Sequence, residues 1–307
     1  MDCMCAITNR IYTEVTSQIT SRITSQLLGI NMATSFRKQI SPVDIASGRY
    51  RLIASLSCPF ANRVLIARKV RKLEQCIQVT FVYPKYTENG WRFAVNDSEL
   101  EHCMPDITGK QLIKEYYLET DPMYKGIYSV PILVNENNKI VNNESMDIMR
   151  MFTLSGNGLD VLNVHTSMAS QIENRNLWIS EKINNGVYKV GNATTQDEYE
   201  SRCKIVFEGL DQVEEILSRH FFLNGYTITE SDILLFPSIM RFDPVYAILF
   251  KCNIKSILEY PNIMKWSRYL YSQWSDLVNM EHIKMQFYSS PKWNPNQIVA
   301  LGNGPQW

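Results

Sequence analysis

Ser57-Cys58-Pro59-Phe60 stands between the apolar run Arg51-Leu52-Ile53-Ala54-Ser55-Leu56 and a helical stretch over residues 61–73, and the reading of this joint decides the fold. The joint puts a thiol at a helix start. Proline suits the first helical position, where its missing N–H costs nothing. The free backbone N–H groups and the positive end of the helix dipole then point at the Cys58 sulfur. Thiols placed in this way titrate at roughly 3.5 to 7.5 instead of about 8.5, and the thiolate is the reactive form. Arg63, one turn into the helix, acts in the same direction. Taken alone, the segment fits a plain core cysteine equally well.

Working outward, Ile77-Gln78-Val79-Thr80-Phe81-Val82-Tyr83 is apolar and β-branched with Pro84 at its end, and predicts a buried strand. Strand, helix and strand make a β-α-β unit, hence parallel pairing. Residues 85–126 are mixed and polar, a long insertion in which only 110–118 has a helical pattern. Val130-Pro131-Ile132-Leu133-Val134 and Lys139-Ile140-Val141 predict two short strands joined by the turn Asn135-Glu136-Asn137-Asn138. Residues 144–154 follow as a helix. The order β-α-β-insertion-β-β-α is that of an α/β thioredoxin-like domain. Pro131 donates no ladder hydrogen bond, and an X-Pro bond there is open to the cis form, which bares the Val130 backbone to a ligand.

From Asp160 onward strand patterns vanish and helical periodicity takes over at residues 165–183, 196–218, 230–241 and 262–273, an all-α domain. Thr229-Glu230-Ser231-Asp232 is a capping-box pattern, and Ile228 and Ile233 occupy the two positions of a hydrophobic staple. Asp243-Pro244 ends or kinks that helix. The tail, residues 287–307, reads as extended and packed through Tyr288, Trp293 and Trp307. The expected division is therefore a leader over 1–35, a thioredoxin-like domain over 36–155, a helical domain over 160–286 and an extension over 287–307.

Composition narrows the function. The 31 basic and 31 acidic residues cancel, so nothing draws the chain to nucleic acid or anionic lipid. No apolar run approaches the roughly 18 residues of a membrane span. The 7 cysteines are scattered and odd in number, without paired C-x-x-C spacing, which predicts a reducing, cytoplasmic setting and no metal site. The leader, with Arg10 and Arg22, has some marks of an organelle transit peptide, against which stand Asp2 and Glu14.

Glu144-Ser145 opens a helix directly after the strand pair. The Ser145 N–H and hydroxyl make a carboxylate corner at the positive helix end, and Glu144 accepts from an ammonium group. A helix cap alone is the simpler reading of this pair. Set in a row with Cys58 and the bare edge at Val130, it suits a γ-glutamyl-cysteinyl peptide with its sulfur against Cys58. Glutathione is that peptide.

Residues 35–302 resemble the Xi-class glutathione transferases, the glutathionyl-hydroquinone reductases. The matching segments include Gly48-Arg49-Tyr50, Ser57-Cys58-Pro59 with Arg63, Gly90-Trp91, Val130-Pro131 and Val141-Asn142-Asn143-Glu144-Ser145. More specific are Asn184-Asn185-Gly186-Val187-Tyr188-Lys189 and Arg241-Phe242-Asp243-Pro244-Val245-Tyr246, with Phe250-Lys251-Cys252-Asn253 and Tyr260-Pro261-Asn262 beyond. The resemblance implies a glutathione-transferase fold, a homodimer, and removal of glutathione from aromatic conjugates through a Cys58–glutathione mixed disulfide. It implies Tyr188 and Tyr288 as proton donors, Trp91, Val130, Glu144 and Ser145 as glutathione ligands, and Phe60, Arg241 and Tyr246 around the hydroquinone. An internal pair between Arg241 and Asp243 is the competing reading of that arginine.

The chain departs from the family at Phe60, where tryptophan is usual, at Asn62, where histidine is common, and at Tyr128, where an arginine precedes the Thr-Val-Pro string. The segment Gln286-Phe287-Tyr288-Ser289 lacks the family's histidines. Two other functions use the same scaffold: an omega-like thioltransferase or dehydroascorbate reductase, which needs Cys58 but no ring-protonating tyrosine, and a binding protein without turnover.

Overall fold

A computed structural model describes residues 36–161 and 168–302. Strand β1, Arg51–Ala54, is buried along its whole length and pairs in parallel with β2, Gln78–Phe81. The crossover between them is helix α2, Pro59–Val70, after a short α1, Pro42–Ile45. The insertion carries a two-stranded ribbon, β3 at Tyr86–Thr87 and β4 at Gly90–Trp91, and helix α3 at Ile113–Thr120. The sequence pattern predicted only the helix, because two-residue strands leave no periodicity to read. Gly90 closes that ribbon at φ +82°, and a Cβ there would lie 2.9 Å from the Tyr128 Cβ.

Strand β5, Ile132–Val134, runs antiparallel to β1, and β6, Ile140–Asn142, antiparallel to β5, giving the order β2-β1-β5-β6. The peptide bond before Pro131 is cis, as the strand-opening proline allowed. Helix α4, Ser145–Thr153, follows and packs on α2. The first strand of the pair starts at Ile132 and not at Val130, after a proline that has no N–H for the ladder, and the second runs one residue later than expected, since Lys139 belongs to the turn, where its carbonyl accepts from the Asn135 N–H at 3.0 Å.

The remainder is helical: α5 Met168–Ile179, α6 Gly186–Gly191, α7 Gln196–Arg219, α8 Glu230–Arg241, α9 Ala247–Leu249, α10 Pro261–Trp274 and α11 Met280–Tyr288. The start of the first of these, at 165–167, lies outside the described residues, as do the leader and Trp307. Two five-residue π-helical turns interrupt the succession, Ser180–Asn184 and Phe242–Tyr246. The second is how the chain accommodates Pro244, which kinks the path and does not end it. Phe287 and Tyr288, read from sequence as extended, are the last turn of α11; Asn279 caps that helix by accepting from the His282 N–H at 2.9 Å. Among the described residues no helix is long and apolar enough to cross a membrane.

The capping box at Thr229 forms, with Asp232 accepting from the Thr229 N–H and hydroxyl at 2.8 Å each. Glu230 behind it is fully buried and joins the helical unit to α4. Arg150 Nε donates to it at 3.1 Å and Nη2 also contacts it, while Asn176 donates at 2.7 Å and Nη2 reaches Glu173 at 2.9 Å. Breaking one side of such a pair leaves a buried charge uncompensated. Arg150→Met should therefore destabilise the protein in denaturant unfolding by about 3–5 kcal/mol. Adding Glu230→Leu should recover most of that loss; a double variant as unstable as the two single losses summed would refute the ion-pair account.

Candidate active site

Cys58 is the N-cap of α2, with extended backbone (φ −78°, ψ 121°) and Pro59 at the first helical position. Its thiol donates to the Val130 carbonyl at 3.6 Å, so the cis peptide and the helix start meet at the sulfur. The Val130 N–H has no hydrogen-bond partner among the described residues. The turn leading to the thiol is held by the Ser55–Ser57 hydroxyl pair at 2.6 Å.

Two guanidinium groups, Arg63 and Arg241, are buried near this sulfur, and neither makes an ion pair among the described residues. Arg241 comes from the last turn of α8. It donates to the carbonyls of Leu56 at 2.9 Å, Ser57 at 3.0 Å and Pro237 at 2.8 Å. Arg63 donates to the Ser145 hydroxyl, its Nε is buried without a partner, and its guanidinium lies 5.1 Å from the centre of the Phe60 ring.

The electrostatic balance at Cys58 differs from the sequence expectation. Burial pushes the thiol above its ordinary value; the Ala61 N–H, Arg241, the Phe60 N–H and Arg63 pull the other way and do not fully compensate. The helix start thus does what was expected of it, but the sulfur is too dry for the thiolate to dominate. Access of water or of a polar ligand to the sulfur weakens the opposing effect, and the same four groups then favour thiolate.

At the amino-acid corner, Glu144 caps α4 by accepting from the Met146 N–H at 3.3 Å, and the Ser145 hydroxyl donates to Glu144 at 3.5 Å. Val130, Ser145 and Cys58 are therefore tied into one site by Arg63 and the cis peptide. Trp91 is buried in the ribbon and packs edge-on against Tyr86 at 5.6 Å; no hydrogen bond or ring contact joins it to that corner among the described residues. Tyr128 sits among Tyr117 and Tyr124, with the Lys114 ammonium 5.5 Å over its ring.

Beside the sulfur is an aromatic cluster centred on Tyr188. Its ring lies 5.8 Å from Phe60, 5.9 Å from Tyr246, 5.4 Å from Phe250, 6.5 Å from Phe287 and 6.4 Å from Trp293. Burial, the Tyr246 phenol and the Cys58 sulfur all hold Tyr188 in its protonated form, well above the ordinary tyrosine value. The Tyr246 hydroxyl is buried without a partner of good hydrogen-bond geometry, although the Tyr188 phenol is near enough to perturb it. Phe60 and Tyr188 form the apolar floor of an open cavity of about 520 Å³ whose other lining residues are Asn185, Lys189, Asn192 and Arg202. Sequence reasoning missed those four as a group, because they converge from α6, the turns beside it and α7. Only Asn185 and Lys189 stood in a segment that the family resemblance marks.

Three expectations are corrected. Arg241 has no exposed surface, so it cannot line a hydroquinone pocket, and it does not pair with Asp243. Asp243 instead accepts from the Ser256 hydroxyl at 2.8 Å and the Ile257 N–H at 3.0 Å. Tyr288 is not a free proton donor: its hydroxyl is committed to the Pro244 carbonyl at 2.8 Å, which fastens α11 to the π turn. Asn62, in the place of a family histidine, donates to the Leu277 carbonyl at 2.7 Å and likewise fastens α2 to the segment before α11. Among the described residues no cluster of His, Cys, Asp and Glu could hold a metal ion.

A thiol at a helix start under a cis-proline strand, backed by a helical unit, defines the glutathione transferase class. Residues 57–153 match the N-terminal domain of glutathione S-transferase, and residues 196–268 its C-terminal domain. Glutathionyl-hydroquinone reductase YqjG of Escherichia coli is 39% identical over 269 residues, covering 83% of this chain and 79% of that protein. Glutathione S-transferase omega-like 2 of Schizosaccharomyces pombe is 37% identical, covering 89% and 92%. The crystal structure of the Xi glutathione transferase ECM4 of Saccharomyces cerevisiae with glutathione superimposes with a TM-score of 0.81 at 33% identity, covering 88% of this chain and 98% of that one. The chain belongs to the glutathione S-transferase family, in its Xi class.

With its charge unneutralised by any carboxylate, Arg241 should favour the Cys58 thiolate, and removing it should raise the thiol further. Arg241→Met is expected to slow iodoacetamide alkylation of Cys58 at neutral pH roughly three- to tenfold and to displace the rate profile to higher pH. An unchanged profile in a variant whose circular dichroism matches wild type would show that Arg241 acts on the backbone alone.

Proposed function

We propose that the protein is a glutathione-dependent reductase that removes glutathione from glutathionyl-hydroquinones. The observation that carries this reading is the juxtaposition of the Cys58 sulfur, at a helix start under the Val130 carbonyl, with a buried tyrosine cluster on one side and the Glu144-Ser145 corner on the other. Glutathione binds with its γ-glutamyl end at Glu144, Ser145 and Arg63 and its cysteinyl backbone against Val130. Trp91, on the ribbon, is assigned as a further glutathione ligand. Phe60 and Tyr188 receive the aromatic ring; Tyr246, fully buried and so no more able than Arg241 to line the pocket, packs behind Tyr188.

In the first step the Cys58 thiolate attacks the glutathionyl sulfur. A Cys58–glutathione disulfide bond forms, the bond from sulfur to the ring carbon breaks, and the electron pair of that bond stays on the carbon. Sulfur is oxidised and the ring carbon reduced. A carbon leaving group is poor, so a proton must reach it as the bond breaks, and Tyr188 is held protonated to supply it. A second glutathione then attacks the mixed disulfide, giving glutathione disulfide and free Cys58; one protein thiol suffices. Tyr288 supports the fold of the site without exchanging a proton.

The omega-like relative favours a second reading, thioltransferase activity, which uses Cys58 and leaves Tyr188 idle. We assign the protein a homodimeric state and a cytoplasmic setting on the family resemblance, with a thioredoxin-like domain over 36–155 and a helical domain over 160–286; light scattering reads the first. Cys58→Ser should abolish turnover of glutathionyl-menadiol with glutathione. Tyr188→Phe should lower that turnover by about 10²-fold while changing exchange with a small mixed disulfide less than about twofold. Equal losses on both substrates would remove Tyr188 from the role of acid and favour the thioltransferase reading.

A further inference from the structure

The cavity beside Tyr188 has two chemistries. Its floor, Phe60 and Tyr188, is aromatic; its rim, Asn185, Lys189, Asn192 and Arg202, is a set of amides and cations, with no acidic side chain in the lining. A hydroquinone ring needs only the floor. The rim must answer to something else.

Lys189 is exposed, and its ammonium has no ion pair or hydrogen bond among the described residues. Arg202 is held in place: it donates to the Lys189 carbonyl at 3.0 Å and lies 3.3 Å from Glu198. The Arg202 fork is thus anchored at the C-terminal end of α6, the helix whose Tyr188 forms the floor. Two positive groups and two amides around an apolar floor fit a flexible, acidic, amide-rich thiol better than they fit a second flat ring.

The geometry points to this rim as the docking site of the second glutathione, the one that resolves the mixed disulfide. The inference rests on the proposed Cys58–glutathione intermediate. In that state the Glu144-Ser145 corner is filled by the glutathione already bound, and the sulfur to be attacked is reached from the vacated ring side. The thiol sits on the middle residue of the tripeptide with a carboxylate on either side of it, so it can enter over Phe60 while one carboxylate stays at Lys189 or Arg202. The incoming thiolate, its proton given to solvent, forms a sulfur–sulfur bond to the bound glutathione. The bond to Cys58 breaks, and the electron pair leaves on the Cys58 sulfur. Every cycle uses this step, whichever hydroquinone came before it, so a rim built for glutathione serves all substrates.

The test isolates the second step. Treating the protein with glutathione disulfide loads the Cys58 mixed disulfide without any hydroquinone, and its reduction is followed by intact mass against glutathione or 2-mercaptoethanol. Lys189→Gln and Arg202→Gln should each lower the second-order rate constant for glutathione about threefold, and the double variant more. The rate with uncharged 2-mercaptoethanol should stay within about twofold, and only the glutathione reaction should slow with salt. No loss with glutathione, or equal loss with both thiols, overturns the docking site. If conjugates are not turned over but the loaded disulfide still discriminates between the two thiols, the reductase reading fails and the docking site stands.

Discussion

The Arg241 guanidinium is the interaction on which the site depends. It leaves the end of α8, is fully buried, and spends its hydrogen bonds on the carbonyls of Leu56, Ser57 and Pro237. A buried charge is costly unless its donors are satisfied. Carbonyl oxygens satisfy the donors but do not cancel the charge, so a positive field is left at the turn that presents Cys58. One side chain therefore fixes the nucleophile's backbone, joins the helical unit to the sheet unit, and biases the sulfur's protonation. Arg63 repeats the arrangement from inside α2, with Ser145 as its acceptor.

These two cations work against the dryness of the site. Burial among Val130, Arg63 and the tyrosine cluster protects a sulfur from adventitious oxidation but holds its proton on. The same burial keeps Tyr188 protonated, which suits an acid. A single low-polarity environment therefore puts the nucleophile in its resting form and the acid in its working form. The cost falls on the thiol, and the helix start and the two guanidinium groups offset part of it.

The sheet unit was legible because its signals are local. A thiol before a proline at a helix start, a strand-opening proline, and a turn rich in asparagine each determine backbone geometry within a few residues, and the fold repeats them. The capping box at Thr229 was legible for the same reason. What could not be read was the far end of long side chains. Arg241 looked like a pocket residue or a partner of Asp243, but its reach carries it to carbonyls 184 and 185 positions away in the chain. Tyr288 looked like an acid until its hydroxyl was seen on Pro244. The rim residues Asn192 and Arg202 carry no mark of a shared site, since they meet only when α6 and α7 pack together. Two-residue strands such as Tyr86–Thr87 fall below any periodicity.

Trp293 closes the aromatic cluster, lying 4.8 Å from Phe250 and 6.4 Å from Tyr188. It is added to the growing chain long after Cys58. At a synthesis rate of roughly 5–20 residues per second, the interval is on the order of ten seconds or more. Once Thr153 has been added, the sheet unit has all its elements and sets a thiol at a helix end; Arg241 follows later, and the wall later still. The nascent chain thus lacks both the burial that holds the proton on its thiol and the guanidinium that opposes that burial.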